Sequence, residues 1–189
     1  MAMTKHARKY ATGLAGEFLV AGELLRRGVM AAVTYGNAKK ADVVAFRAGR
    51  AVTLEVKSTS EAKWILGDSL PDDAASLWVL VFLPADTALP PEYFVLTSGE
   101  LRDILLPHWE AYMSRYVSKH GREFAGKGVV SVQREWLGAS HRGAWHKAIN
   151  ALGLEAPSEV APVATVLELP VRAMPGTEPS SPGRTAGRN

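Results

Sequence analysis

Polar and apolar positions alternate most clearly between Asp42 and Ser58, on either side of the short segment Ala48-Gly49-Arg50. In the second half of this stretch, three aliphatic residues alternate with three polar ones: Val52, Leu54 and Val56 with Thr53, Glu55 and Lys57. A period of two places the aliphatic trio on one face of a strand and the polar trio on the other. The pattern predicts a β-hairpin with strands at 42–47 and 51–58 and a turn at Gly49.

Charged residues gather at the open end of this predicted hairpin. If the chain reverses around Gly49, residues whose numbers add up to about 98 or 99 lie opposite one another. Asp42 is then level with Val56 and Lys57, and Glu55 shares a face with Lys57. Two carboxylates and an ammonium group would converge there. A divalent cation and an activated water require such a cluster.

A helical pattern precedes the hairpin, from about Thr12 to Arg27, and Gly28 is its predicted stop. Its apolar stripe repeats at spacings of three and four and consists of Leu14, Phe18, Ala21, Leu24 and Leu25. Glu17 lies inside that stripe. A carboxylate on a core-facing stripe is costly unless it is paired or bound to a cation. Glu17 is therefore either a stripe-edge residue that reaches solvent or a member of the carboxylate cluster.

The rest of the chain predicts an α/β fold with a central mixed β-sheet flanked by helices and a C-terminal helical extension. Strands are predicted at 31–35, 77–83, 93–96 and 128–133, and the continuous apolar run 77–83 is predicted to be the sheet centre. Helices are predicted after the Thr97 and Glu100 capping box, with an interruption at Pro107, and at 140–152. Residues 1–153 form one predicted domain with a loose basic arm at 1–11, and 154–189 is a predicted disordered tail rich in Pro, Ala and Ser.

Composition narrows the setting but not the function. The 189 residues carry a net charge of +3 and no cysteine, so disulfides and thiolate metal sites are excluded. No apolar run is long enough to span a bilayer, and a cytoplasmic protein without a membrane partner is expected. The mild basicity suits a phosphate-rich partner. The predicted phosphate contacts are Lys5, Arg8 and Lys9 in the arm and Lys39 and Lys40 in the loop before Asp42.

These residues together resemble the PD-(D/E)XK nuclease superfamily. The resemblance rests on a helix with Gly13 and Glu17, on Asp42-Val43-Val44-Ala45, and on Leu54-Glu55-Val56-Lys57-Ser58. Within the superfamily, the pattern is most similar to the archaeal Holliday junction resolvase branch and related restriction-type endonucleases. It covers Gly13 to Lys57, with Leu77–Leu83 fitting a later core strand, and it implies a restriction endonuclease-like core. A crossover helix is expected between Lys57 and Leu77, where the sequence has Gly67 and Pro71 instead.

The resemblance implies a divalent-metal-dependent endonuclease that hydrolyses phosphodiester bonds in DNA, branched or junction DNA included. Mg²⁺ or Mn²⁺ would be held by Asp42, Glu55 and the carbonyl of Val56, with Glu17 as a direct or water-bridged ligand. Lys57 would hold the attacking water and offset phosphate charge. The products would be a 5′-phosphate and a 3′-hydroxyl, and a homodimer is implied because family members that cut two strands often pair.

Two other interpretations of the same residues stay open. A nuclease-like fold can bind nucleic acid or a protein partner without cutting. Alternatively, Glu55 and Lys57 form an ordinary surface ion pair on an α/β domain. The response of thermal unfolding to Mn²⁺ separates these interpretations, because clustered carboxylates gain stability from a cation and a surface ion pair does not.

Overall fold

The structure is a computed structural model that describes residues 3–34, 41–71, 76–124 and 128–153. Its α-helices are α1 (Lys5–Arg26), α2 (Ser98–His120) and α3 (His146–Ala151). Its strands are β1 (Met30–Val33), β2 (Val43–Arg47), β3 (Arg50–Thr59), β4 (Lys63–Gly67), β5 (Leu77–Phe82), β6 (Glu92–Thr97) and β7 (Val130–Gln133). The predicted tail, 154–189, and the predicted loop lysines, Lys39 and Lys40, lie outside the described residues. Within the described ranges, no helix is long and apolar enough to cross a membrane.

Five strands form one mixed sheet in the order β1-β2-β3-β5-β6. All neighbours in it are antiparallel except β3 and β5, which run parallel. Strands β4 and β7 form a separate antiparallel pair. The predicted α/β class with a central mixed sheet is confirmed. The centre of the sheet is β3 rather than β5, although β5 is internal and buried along nearly its whole length, as its apolar run predicts.

The predicted hairpin is formed by β2 and β3, and its turn consists of Ala48 and Gly49. Both turn residues have positive φ angles, 50° and 78°. A two-residue turn of this kind matches the twist of the flanking strands. It pairs Arg47 with Arg50 and Val43 with Leu54, so the strands are offset from the predicted pairing of Asp42 with Val56 and Lys57.

Each face of the sheet is covered by a separate apolar cluster. On one face, α1 and α3 pack against the aliphatic side of β3, and the shared cluster includes Val20, Leu24, Val52, Leu54, Val56 and Ile149. On the other face, β4, β7 and α2 pack against β5 and β6, and the cluster includes Trp64, Trp78, Leu80, Leu96, Leu101 and Val132. The aliphatic trio predicted for β3 is buried, and helices pack against it as expected.

Helix α1 differs from its prediction at its start and in its buried face. It begins at Lys5, well before Thr12, because the hydroxyl of Thr4 accepts a hydrogen bond from the Ala7 amide and caps the helix. The residues that it buries are Gly16, Val20, Ala21 and Leu24. Ala21 and Leu24 belong to the predicted stripe, whereas its other members Phe18 and Leu25 are 50% and 47% exposed, so the prediction is only partly confirmed.

Three further elements differ from the predictions. Helix α2 continues through Pro107, although an interior proline removes one backbone hydrogen bond and its ring crowds the preceding turn. The predicted helix at 140–152 is reduced to α3, preceded by short 3₁₀ turns at 134–136 and 139–141. The crossover between β3 and β5 contains β4 in place of the expected helix.

An ion pair fixes α3 to the start of α2. The Lys147 ammonium donates hydrogen bonds to the two carboxylate oxygens of Glu100, at 2.7 and 2.8 Å, and to the Val95 carbonyl at 3.1 Å. Glu100 also accepts from the Thr97 amide at 2.8 Å, which completes the predicted capping box. Burial alone would raise the pKa of Glu100, but the bonds from Lys147 and Thr97 outweigh it, and the net pKa is lowered.

Candidate active site

Asp42 lies where the regular pairing of β2 with β3 ends. Its backbone N–H donates to the Leu54 carbonyl at 3.0 Å, and its own carbonyl accepts from the Thr34 amide at 2.9 Å. One carboxylate oxygen, Oδ2, accepts a hydrogen bond from the Val56 amide at 2.7 Å. The last backbone pair of the ladder is Val43 with Leu54. The Asp42 side chain therefore satisfies a strand donor that has no β2 backbone opposite it.

This hydrogen bond places the Asp42 carboxylate at the backbone of the residue between Glu55 and Lys57. In an extended strand, the N–H and C=O of one residue point to the same neighbouring strand. The Val56 carbonyl, a predicted metal ligand, is therefore directed toward the same edge as the amide that Asp42 binds. The geometry gathers a carboxylate and a backbone carbonyl on one side of β3, as a hard cation prefers.

Glu17 reaches this region from α1. Burial raises the pKa of its carboxyl group, the negative charge of Asp42 raises it further, and the positive charge of Lys57 acts in the opposite direction. These effects place the charged groups of Asp42 and Lys57 near the Glu17 carboxyl group. Glu17 is half-buried, next to the buried face of α1. Of the predicted cluster, Asp42 and Lys57 act on Glu17, and whether Glu17 serves a cation stays a prediction.

Helix α1 approaches β3 unusually closely one residue before Glu17. A Cβ atom on Gly16 would lie 1.7 Å from the Ser58 Oγ and 2.8 Å from the Ser58 Cβ. Only glycine fits at such a distance. Gly16 thus sets the depth at which α1, and with it Glu17, sits on the strand that carries Glu55 and Lys57. The sequence pattern did not single out Gly16, which lies outside the predicted stripe.

Lys57 and Glu55 lie on the face of β3 away from α1. Glu55 is paired with Trp78 across the parallel β3 and β5 ladder, and the Lys57 ammonium lies 5.9 Å from the centre of the Trp78 ring. At that distance the ring face attracts the cation. Both charged residues are half-buried. Trp78 thereby helps to hold the ammonium group over the sheet.

Within the described ranges, no three His, Asp or Glu side chains are placed closely enough to hold a metal ion. The charges of Asp42 and Lys57 both act on Glu17, and Glu55 lies one residue from the amide that Asp42 binds. These described side chains do not form an all-protein cage for a cation. Mg²⁺ is commonly bound by one or two carboxylates, retained waters and substrate phosphate.

A cleft of about 450 Å³ lies along the first half of α1. Its lining includes the basic residues His6 and Lys9, the ring of Tyr10, and Glu17 and Thr34. Thr34 also donates from its hydroxyl to the Ala41 carbonyl and so holds the chain just before Asp42. Of the predicted phosphate contacts, Lys9 lines the cleft. Lys5 and Arg8 stand on exposed positions of the same helix.

No family model matches the chain, and no curated protein matches its sequence.

Proposed function

We propose that the protein is a divalent-metal-dependent endonuclease that hydrolyses phosphodiester bonds in DNA. The observation that carries the proposal is the 2.7 Å hydrogen bond from the Val56 amide to Asp42. This bond joins the aspartate to the strand that carries the Glu-x-Lys motif, although the two residues lie well apart in the chain. A surface ion pair between Glu55 and Lys57 would not require this bond.

The order of elements supports a restriction endonuclease-like core as part of the same proposal. A helix bearing Glu17 precedes an antiparallel run of three strands, β1 to β3, and a later strand, β5, then joins β3 in parallel. The PD-(D/E)XK resemblance requires this sequence of helix, strand, hairpin and later core strand. The departure is β4, which replaces the crossover helix and covers the sheet with β7 instead.

Each residue has a distinct task in the proposed reaction. Asp42, Glu55 and the Val56 carbonyl would hold Mg²⁺ or Mn²⁺, which supplies charge stabilisation at the phosphate and lowers the pKa of a bound water. Lys57 would orient the attacking water and offset phosphate charge. The pKa of the Glu17 carboxyl group is raised. A neighbouring cation would lower that pKa, because a positive charge favours the carboxylate.

Cleavage assays on labelled DNA test the proposal directly. Linear, nicked, single-stranded and branched DNA would be incubated with the full chain in Mg²⁺, in Mn²⁺ and in EDTA. We expect cleavage that requires the cation and leaves 5′-phosphate ends. In Asp42→Asn, Glu55→Gln and Lys57→Ala proteins, cleavage should nearly vanish while folding and DNA binding persist, and double variants should lose little more.

Two exposed residues of the neighbouring segment provide matched controls. Glu61→Gln and Lys63→Ala make the same chemical changes at exposed positions and should leave cleavage unaltered. Persistent cleavage in folded Asp42→Asn and Lys57→Ala proteins would place the active site elsewhere. DNA binding without cleavage under any cation would instead favour the non-catalytic binding module.

A further inference from the structure

The second half of α2 carries a stripe of rings that extends beyond the protein core, although its first ring, Trp109, packs against the edge of the core. The buried residues of this helix are confined to its first eight positions: Ser98, Leu101 and Leu105. Beyond them, ring side chains recur at helical spacings of three and four, at Trp109, Tyr112, Tyr116 and His120. Tyr112 is 42% exposed. Rings of this size are normally used for burial, so the exposed part of Tyr112 is surface that a ligand could cover.

Two of these rings, Trp109 and Tyr112, line a pocket of about 630 Å³ between α2 and the chain around β7. Its ring-bearing and charged lining consists of His108, Trp109, Tyr112, Arg115, Phe124 and Trp136. The rings of His108 and Trp136 are stacked, with centroids 3.5 Å apart and planes only 6° from parallel. The ring of Phe124 meets Tyr112 edge-on at 6.0 Å. The pocket therefore has aromatic walls and a size typical of small-ligand sites.

We propose that this pocket binds a base of single-stranded DNA, with Arg115 contacting a neighbouring phosphate. A base has two flat faces that stack on aromatic rings, and they are accessible only where the strand is unpaired. The inference rests on the proposed function in one respect, since the strand would be the DNA that the enzyme cuts. It adds an anchor outside the candidate active site and gives a preference for DNA with single-stranded segments.

Charge favours a nucleic-acid strand over an apolar partner. Around the ring stripe, the exposed cations are Arg115, Lys119 and Arg122, and the exposed acids are Glu110 and Glu123. The cations cluster toward the end of the helix, where the rings continue through Tyr116 and His120. Alternation of rings and cations matches a polyanion that carries a flat base on every unit. An aliphatic ligand would use neither feature.

Binding without cleavage tests the inference. The affinity of the full chain in EDTA would be measured for a single-stranded oligonucleotide and for an abasic strand of the same length and charge. Stacking on aromatic side chains contributes about 1–3 kcal/mol per base, so we expect at least a five-fold preference for the strand with bases. Tyr112→Ala should remove most of that preference, and Tyr112→Phe should retain it. Arg115→Ala should lower affinity for both strands and reduce the salt dependence.

Phe46→Ala is the matched control, because Phe46 is also 42% exposed but lies on β2. It should leave the preference intact, and equal losses in Phe46→Ala and Tyr112→Ala proteins would overturn the inference. Equal binding of both strands by the unaltered protein would also overturn it. A hydrophobic dye that binds the pocket and resists displacement by the strand would assign the pocket to an apolar partner.

The two proposals can fail separately. If the protein prefers bases in EDTA but never cleaves DNA, the proposal for the ring pocket stands and the nuclease proposal fails. If the protein cleaves DNA without a preference for bases, the nuclease proposal stands and the proposal for the ring pocket fails. An Asp42→Asn protein should lose cleavage and keep the preference for bases, since Asp42 does not line the pocket.

Discussion

The close approach of α1 to β3 at Gly16 can be tested by adding one methyl group. In Gly16→Ala, the new Cβ would lie 1.7 Å from the Ser58 Oγ and 2.8 Å from the Ser58 Cβ. The hydroxyl can rotate away, but the Ser58 Cβ is fixed to the strand backbone. Helix and strand must therefore separate to restore ordinary contact, and α1 would carry Glu17 away from Asp42 and Lys57.

Gly22→Ala is the matched control for the magnitude. Both glycines lie inside α1, and a Cβ on Gly22 would meet nothing within 4 Å. Either substitution should raise the free energy of unfolding by about 0.4–1 kcal/mol, because the unfolded chain becomes less flexible. At Gly16, overpacking should lower that free energy by about 1–3 kcal/mol. The two variants should then differ by about 1–3 kcal/mol in free energy of unfolding. For a chain of this size, that difference corresponds to about 2–12 °C in Tm.

Urea and thermal unfolding followed by circular dichroism would measure this difference. Ser58→Gly removes the obstructing atoms, so the double variant with Gly16→Ala should recover part of the loss. The Ser58 hydroxyl is buried without a hydrogen-bond partner among the described residues, so Ser58→Ala should be nearly neutral or stabilising. Equal stabilities of the Gly16→Ala and Gly22→Ala proteins would refute the close-approach argument.

Three further predictions concern charge. Because the pKa of Glu17 is raised, its contribution to stability is present below its ordinary pKa and lost as the pH rises through the raised value. Glu17→Gln should therefore raise Tm at pH 7, leave Tm unchanged at pH 3, and reduce any stabilisation by Mn²⁺. Lys5→Ala and Lys9→Ala should weaken binding to all duplex sequences and flatten the dependence of log K on log salt by about 0.9 for each phosphate that is no longer neutralised, which titrations between 50 and 200 mM salt would measure. The lowered pKa of Glu100 contributes stability that is present above its ordinary pKa and lost as the pH falls through the lowered value. Lys147→Met should therefore lower the free energy of unfolding by about 1.5–3 kcal/mol at pH 7 and reduce the loss of stability at acid pH, and urea unfolding at several pH values would measure both effects.

The hairpin could be predicted from the sequence because all of its determinants are local. The alternation from Val52 to Lys57 specifies which side chains face the core, and Gly49 marks the turn. The pairing was less predictable, because it depends on whether Ala48 joins Gly49 in the left-handed conformation. Both turn residues have positive φ angles, and this two-residue turn shifts the pairing of every residue of β2 with β3 relative to the predicted reversal at Gly49.

The features that the sequence did not reveal depend on contacts between distant parts of the chain. The buried face of α1 is set by the close approach of Gly16 to Ser58, and a hydrophobicity pattern gives glycine no weight in a core. Strand β4 has a buried Trp64 and Leu66 alternating with exposed residues, but its partner, β7, lies far along the chain. Such pairings are specified by tertiary packing rather than by local propensity.

The position of Asp42 explains how side chains from opposite faces of the sheet can serve one site. Helix α1 covers one face of β3, whereas Glu55 and Lys57 point to the other, so a site within the sheet would separate Glu17 from Lys57. Asp42 bonds to an amide in the plane of the sheet, beyond the last pair of the ladder. At this open end the backbone of β2 no longer divides the two faces, and the charges of Asp42 and Lys57 both act on Glu17. In the proposed reaction, the end of the ladder would therefore be the place where a phosphate meets carboxylates and ammonium together.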